Sequence, residues 1–133
     1  MNDSSKRTGL LGEHIAQLHL KRCGFEIQAV NWRFGRLGEI DIIARHPAQN
    51  LLVFVEVKTR KNRHYGGPEE AISGQKIKKL LSLAEIYLNE LSTEQPLNLQ
   101  IRFDAIQIFW PGQGKAAEIA HVENAFQMEN VYD

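Results

Sequence analysis

The residues Gly38 to Lys58, GEIDIIARHPAQNLLVFVEVK, alternate apolar and polar side chains on either side of a short break at His46-Pro-Ala-Gln-Asn50. Ile40, Ile42 and Ala44 alternate with Glu39, Asp41 and Ile43; Val53, Val55 and Val57 alternate with Leu52, Phe54, Glu56 and Lys58. That is the period of two expected of strands, so the stretch reads as a β-hairpin. With a four-residue loop at Pro47–Asn50, one of the commoner hairpin lengths, His46 pairs with Leu51 and Asp41 faces Glu56.

Directly opposed residues have Cβ atoms only about 4.5–5.5 Å apart, and like charges placed so destabilise a sheet. Two remedies suggest themselves. A divalent cation takes paired carboxylates as hard-oxygen ligands, and the ammonium of Lys58 lies two residues along on the same face. The same alternation also suits the wet face of an amphipathic hairpin, with Glu39 opposite Lys58 as a surface ion pair.

The chain of 133 residues is the size of a single domain with a real core, residues 1–133, and no linker or low-complexity tract divides it. No apolar run resembles a signal peptide or a membrane span. With one cysteine, Cys23, an internal disulfide is excluded. A cytoplasmic protein without membrane contact is expected. The formal charge is zero, but its distribution is uneven: 14 Lys and Arg against 8 Asp and Glu from Met1 to Lys79, and 2 against 8 from Leu80 onward. A basic surface can steer a polyanion even on a neutral protein.

Thr8 to Cys23 reads as a helix, Thr8 its N-cap and Gly24 its stop. Glu13 projects within about 20° of Leu20 on the apolar stripe, too late for a capping box on Thr8. Either it favours the positive helix N-terminus or it serves a site. Phe25–Trp32 reads as a first strand and Phe34–Gly38 as a turn flanked by Arg33 and Arg36. After Lys58, the stretch from Thr59 to Pro68 is a basic loop carrying Arg60, Lys61 and Arg63. Such loops contact phosphate backbones, and this one adjoins the paired acids.

Ser73 caps a long helix over Gly74–Leu91, on which Ile77, Leu80, Leu81, Ala84, Tyr87, Leu88 and Leu91 form one apolar stripe. Gln75, Lys76, Lys78 and Lys79 crowd its first turns, where the helix dipole prefers acids; either a bound anion nearby reconciles this or the lysines are a solvated run. Leu97–Trp110 reads as an interior strand, apolar on both faces, with Asp104 structural in its middle. Ile119–Phe126 is a short edge strand or helix, and Gln127–Asp133 a disordered tail. The five histidines lack zinc spacing, and phosphate-binding glycine loops and nucleophile elbows are absent.

The order is helix, strand, strand, strand, helix, strand. With Glu13 on the first helix, Asp41 on the second strand and Glu56-Val57-Lys58 on the third, an α/β chain of this αβββαβ order, a mixed central sheet flanked by helices, resembles the restriction-endonuclease-like superfamily. Its PD-(D/E)xK pattern is shared with Holliday-junction resolvases; here Ile40 stands where the pattern has proline. Over nearly its whole length the chain resembles the YraN family, in Gly12-Glu13, Asn31-Trp-Arg33, Gly38-Glu-Ile-Asp-Ile-Ile43, Phe54-Val-Glu-Val-Lys-Thr-Arg60, Arg102-Phe-Asp104 and Glu123-Asn-Ala-Phe126.

The resemblance implies metal-dependent phosphodiester hydrolysis by Glu13, Asp41, Glu56 and Lys58. Asp41, Glu56 and the Val57 carbonyl would hold Mg²⁺ or Mn²⁺, with Glu13 binding directly or through water. Arg33, Arg36, Arg60, Lys61, Arg63, Gln75, Lys76 and Lys79 would contact the nucleic acid, DNA rather than RNA. A homodimer fits junction cutting, which needs two symmetric incisions. The rival readings are a non-catalytic nucleic-acid-binding module and a protein-interaction adaptor.

Overall fold

A computed structural model of the chain describes residues 3–60, 73–92, 98–112 and 114–127. Lys61, Arg63 and tail residues 128–133 lie outside them. The elements in order are α1 (Asp3–Arg22), β1 (Glu26–Arg33), β2 (Glu39–His46), β3 (Leu51–Arg60), α2 (Gly74–Ser92), β4 (Gln100–Phe109) and β5 (Glu118–Val122). The five strands form one sheet in sequence order, antiparallel except for the parallel β3–β4 pair that α2 connects. This is the expected α/β architecture with a mixed sheet and a helix on each face; β5 is the edge strand beyond β4.

The hairpin forms in the expected register, from His46 opposite Leu51 to Ile42 opposite Val55. Its loop closes because Asn50 adopts a left-handed conformation (φ 50°) and the His46 ring accepts a hydrogen bond from the Gln49 amide at 3.3 Å. With Nδ1 accepting, Nε2–H donates to the Cys23 carbonyl at 3.1 Å, fastening the hairpin tip to the end of α1.

Alternation along the strands sorts the apolar residues into two layers. Ile42, Ala44, Val53, Val55, Ile106 and Ile108 pack with Ala16 and Leu20 of α1. Ile43, Leu52 and Phe54 pack on the other face with Ile77, Leu80, Leu81, Leu83 and Ala84 of α2. Each of the larger side chains, once buried, contributes roughly 1.5–3 kcal/mol, so these layers and not surface ion pairs hold the sheet. The expected apolar stripe of α2 is the one that packs. Ser73 caps it as expected, its Oγ accepting from the Lys76 amide at 3.2 Å.

Two expectations need correction. The first helix does not begin at a Thr8 cap; it starts at Asp3, because nothing in its polar opening turns breaks a helix even though no apolar period marks them. Nor are Asp41 and Glu56 the wet face of the hairpin. They are only 9% and 7% exposed, and the imagined Glu39–Lys58 surface pair is replaced by Arg33 on Glu39 at 2.9 Å.

On the α1 face, Asp104 is fully buried. It accepts from Arg102 at 2.8 and 2.9 Å, from His121 Nε2 at 2.7 Å and from the Asn124 amide at 3.0 Å. Burial alone would raise its carboxyl, but the His121, Arg102 and Asn124 hydrogen bonds hold it below the ordinary range. With His121 Nε2–H given to Asp104, His121 Nδ1 is left to accept from His19 Nε2–H at 2.9 Å. The chain of contacts ties α1, β4 and β5 together, the structural role expected of Asp104.

Helix α1 lies close to β3 at Gly12, where an added Cβ would fall 1.8 Å from Thr59 Oγ1 and 2.9 Å from Thr59 Cβ. Gly12→Ala is expected to lower the unfolding free energy by about 1–3 kcal/mol, the cost of overpacking. Adding Thr59→Ala should recover only part of this, because Cβ remains. Denaturant unfolding of the single and double variants checks both.

Candidate functional site

Regular pairing of β2 with β3 stops at Ile42 and Val55. Continued one step, that register would set Asp41 opposite Glu56, and there the regular pairing ends. The Val57 amide, next in line to donate toward β2, is taken by the Asp41 carboxylate, Val57 N to Asp41 Oδ2 at 2.8 Å.

The irregularity runs into β1. Ile42 belongs to the α1-side core but Ile40, two residues back, to the α2-side core, whereas residues i and i+2 of a regular strand share a face. Across from this switch β1 carries Asn31 between Val30, opposite Ile42, and Trp32, opposite Ile40. Asn31 is left-handed (φ 52°), a conformation asparagine tolerates better than most residues. Its side chain turns to α1 and donates to Glu13 Oε2 at 3.2 Å. Asp41 thus sits at a seam where both neighbouring strands are distorted.

A cleft of about 450 Å³ opens on the α2 side of the seam, its charged lining being Arg36, Glu39, Asp41, Glu56, Lys76 and Lys79, with Ser73 and Gln75 beside them. The Lys76 ammonium, from the first turn of α2, forms an ion pair with Glu56 Oε1. No acid stands in that first turn; the sheet supplies one across space. The Asp41 carboxyl is pushed up to about 7, first by burial and then by the Glu56 charge. The Val57 amide and Lys76 pull it down, and Glu13 adds a smaller upward push. Asp41 and Glu56 therefore share one electrostatic site that Lys76 incompletely neutralises.

The remaining candidates divide by location. Glu13 reaches Asp41 through its field and bonds Asn31, behind the seam, and is not in the cleft wall. Lys58 is half-buried on β3, opposite Gln107 of β4; by alternation it shares the face of Glu56, but it is not in the cleft wall, and among the described residues it makes no ion pair. Arg33 is engaged with Glu39. Arg60 ends β3, where its carbonyl accepts from the Trp110 amide at 2.9 Å. Sequence reasoning missed Asn31 as the partner of Glu13, and Lys76 as the cation on Glu56; asparagine ahead of Trp32 in a strand was the one available sign of the first.

As to a cation, Asp41 and Glu56 offer hard oxygens side by side. Val57, whose amide points at Asp41, directs its carbonyl to the same edge of β3. That donor set fits Mg²⁺ or Mn²⁺, which bind through one or two carboxylates and keep several waters. Among the described residues no three His, Cys, Asp or Glu side chains converge to hold a metal unaided, so main-chain oxygen and water would complete the shell.

The fold and the seam define an α/β protein with a buried carboxylate pair in a cleft lined by charges of both signs. The model of the uncharacterised protein family UPF0102 matches residues 12–108. The chain is 43% identical to the UPF0102 protein of Natranaerobius thermophilus over 126 residues, 95% of this chain and 100% of that one. It is 43% identical to that of Symbiobacterium thermophilum over 122 residues (92% and 98%), and 38% identical to that of Acetivibrio thermocellus over 131 residues (94% and 95%). The chain belongs to the UPF0102 family, the YraN family its motifs resemble. Among the described residues no helix is long and apolar enough to cross a membrane.

The raised carboxyl of Asp41 has a sign that can be checked. A group with a folded pKa near 7 against 3.8 unfolded binds more protons when folded, so its contribution falls as pH rises from about 4 and is fully unfavourable above 7. Asp41→Asn keeps an acceptor for Val57 and removes the charge. In EDTA it is expected to melt at least about 5 °C above the native protein at pH 8, with the gap closing toward pH 4. Calorimetry across that range tests it; a gap that does not change with pH contradicts it.

Proposed function

We propose that the protein is a cytoplasmic Mg²⁺- or Mn²⁺-dependent nuclease of the restriction-endonuclease-like superfamily, hydrolysing phosphodiester bonds in DNA, branched or structured DNA included. The observation that carries this reading is the pair of buried carboxylates, Asp41 and Glu56, at the parting of β2 and β3 and facing a cleft walled by Arg36, Gln75, Lys76 and Lys79. A structural pair of acids gains nothing from such a position, since burial and mutual repulsion both act against it.

Asp41, Glu56 and the Val57 carbonyl would hold the cation, with Glu13 behind Asp41 raising its demand for positive charge. The cation, when bound, supplies Lewis acidity and lowers the pKa of a bound water. Lys58, on the face of Glu56, would orient the attacking water or stabilise charge developing on the phosphoryl oxygens. Arg36, Gln75 and Lys79 would seat the strand by its phosphates. Two copies would serve a junction, one per incision.

One observation favours a second reading. Lys76 already gives Glu56 a counter-ion, as a binding module that uses the acids structurally would require; such a module binds nucleic acid without divalent ions and loses affinity steeply with salt.

Cleavage of end-labelled four-way junctions and linear duplexes in Mn²⁺ decides between them. Glu56→Ala and Lys58→Ala are each expected to lower metal-dependent cleavage at least about 100-fold with unchanged circular dichroism. Cleavage that survives either substitution, or salt-sensitive binding with no cleavage at all, overturns the nuclease reading.

A further inference from the structure

We infer that Lys76 is a resident counter-ion that holds the place of a divalent cation at Glu56 and must leave that carboxylate before the cation can bind. This rests on the proposed cation site and adds a gate to it.

Lys76 sits at the start of α2, whose position is fixed by the Ser73 cap and by the buried Ile77, Leu80 and Leu81 that follow. Glu56 is nearly enclosed, whereas 42% of the Lys76 side chain is exposed. The ammonium therefore reaches in from the solvent edge of the cleft to a carboxylate that cannot come out to meet it. It takes Oε1 of Glu56, while Val57 N–H takes Oδ2 of Asp41, so two of the four carboxylate oxygens are already engaged. A divalent cation bridging the pair would bring two positive charges to within a few ångströms of a third. At about 4 Å and an effective dielectric near 20 that repulsion is large compared with thermal energy. One of the cations must yield.

Lysine is suited to yielding. Its charge is a compact point on a flexible stem with no fixed fork geometry to give up, and it lines the same cleft as Gln75 and Lys79. There the released ammonium would find a substrate phosphate. The lysine that neutralises the acids when the cleft is vacant is then available to the polyanion when the cation is in place. An arginine at this position would hold the carboxylate more firmly and release it less readily.

Mn²⁺ titrations of the full chain followed by electron paramagnetic resonance test the exchange without any nucleic acid or turnover. Lys76→Met is expected to bind Mn²⁺ at Glu56 about tenfold or more tightly than the native protein, and Lys76→Arg no more tightly than native. Asp41→Asn serves as the baseline without a site. If the native protein and Lys76→Met bind alike, both well above the baseline, the gate is wrong and the cation site stands. Weaker binding by Lys76→Met also overturns the gate, for it makes Lys76 a support of the site. If none of them exceeds the baseline, the cation site fails and the gate with it.

A second measurement reads the native protein directly and uses a variant only for assignment. In nitrogen-15 spectra of the lysine ammonium groups, assigned by comparison with Lys76→Arg, the native protein is expected to show a Lys76 resonance protected from exchange by Glu56. Saturating Mg²⁺ should broaden it into the solvent-exposed set. A Lys76 resonance that stays protected under Mg²⁺ overturns the exchange.

Discussion

Two carboxylates placed across from each other in the interior of a sheet set the terms for everything around them. Asp41 and Glu56 cannot both be charged, buried and regularly paired at strand spacing without compensation. The structure answers by ending the β2–β3 ladder before the acids, at Ile42 and Val55, so that a carboxylate takes the amide a carbonyl would have taken. It reverses the faces of Ile40 and Ile42 around the acid. It places the left-handed Asn31 alongside, where β1 must follow the same distortion.

That distortion is affordable only because the rest of the sheet is regular and well covered. Below the seam the hairpin keeps its register for five consecutive pairs, and β3 runs parallel to β4 along the whole length of both strands. Helix α2 then does two things with one placement. Its apolar stripe closes the core over Leu52 and Phe54, and its first turn, which has no acid, sets Lys76 against Glu56. Positive side chains at a helix N-terminus are unfavourable in isolation. Against a buried carboxylate the sign of that charge is the useful one.

The hairpin was legible in the sequence because every signal in it is local. Period-two alternation fixes the strands, and a loop containing proline and asparagine fixes the register, so the facing of Asp41 and Glu56 followed from counting. The cap at Ser73 and the stripe of α2 were legible for the same reason. What failed was either unmarked or distant. The polar turns before Leu10 are helical without any apolar period to announce it. The contact of His19 with His121 joins residues 102 positions apart, and neither ring carries a spacing that would point to the other. Lys58 looked like the natural partner of the acids because it is near in sequence, but the cation on Glu56 arrives from Lys76, on a different element. Sequence proximity ranks candidates by chain distance; charges are paired by the distance between atoms.

The face of the sheet on which each acid lies also separates roles that the sequence lumps together. Glu56 belongs to the α2 side with the cleft, and Glu13 to the α1 side, held by Asn31. Asp41 lies at the seam and feels both, with Glu56 the stronger and Glu13 the weaker influence. Three acids spread across two faces do not make one ligand cluster, and among the described residues none is formed. Their charges meet at Asp41, whose carboxyl both Glu56 and Glu13 push up. Positive charge is drawn to the parting of β2 and β3 from the cleft side, because the α1 side is closed by a helix packed tightly enough at Gly12 to exclude even a methyl group.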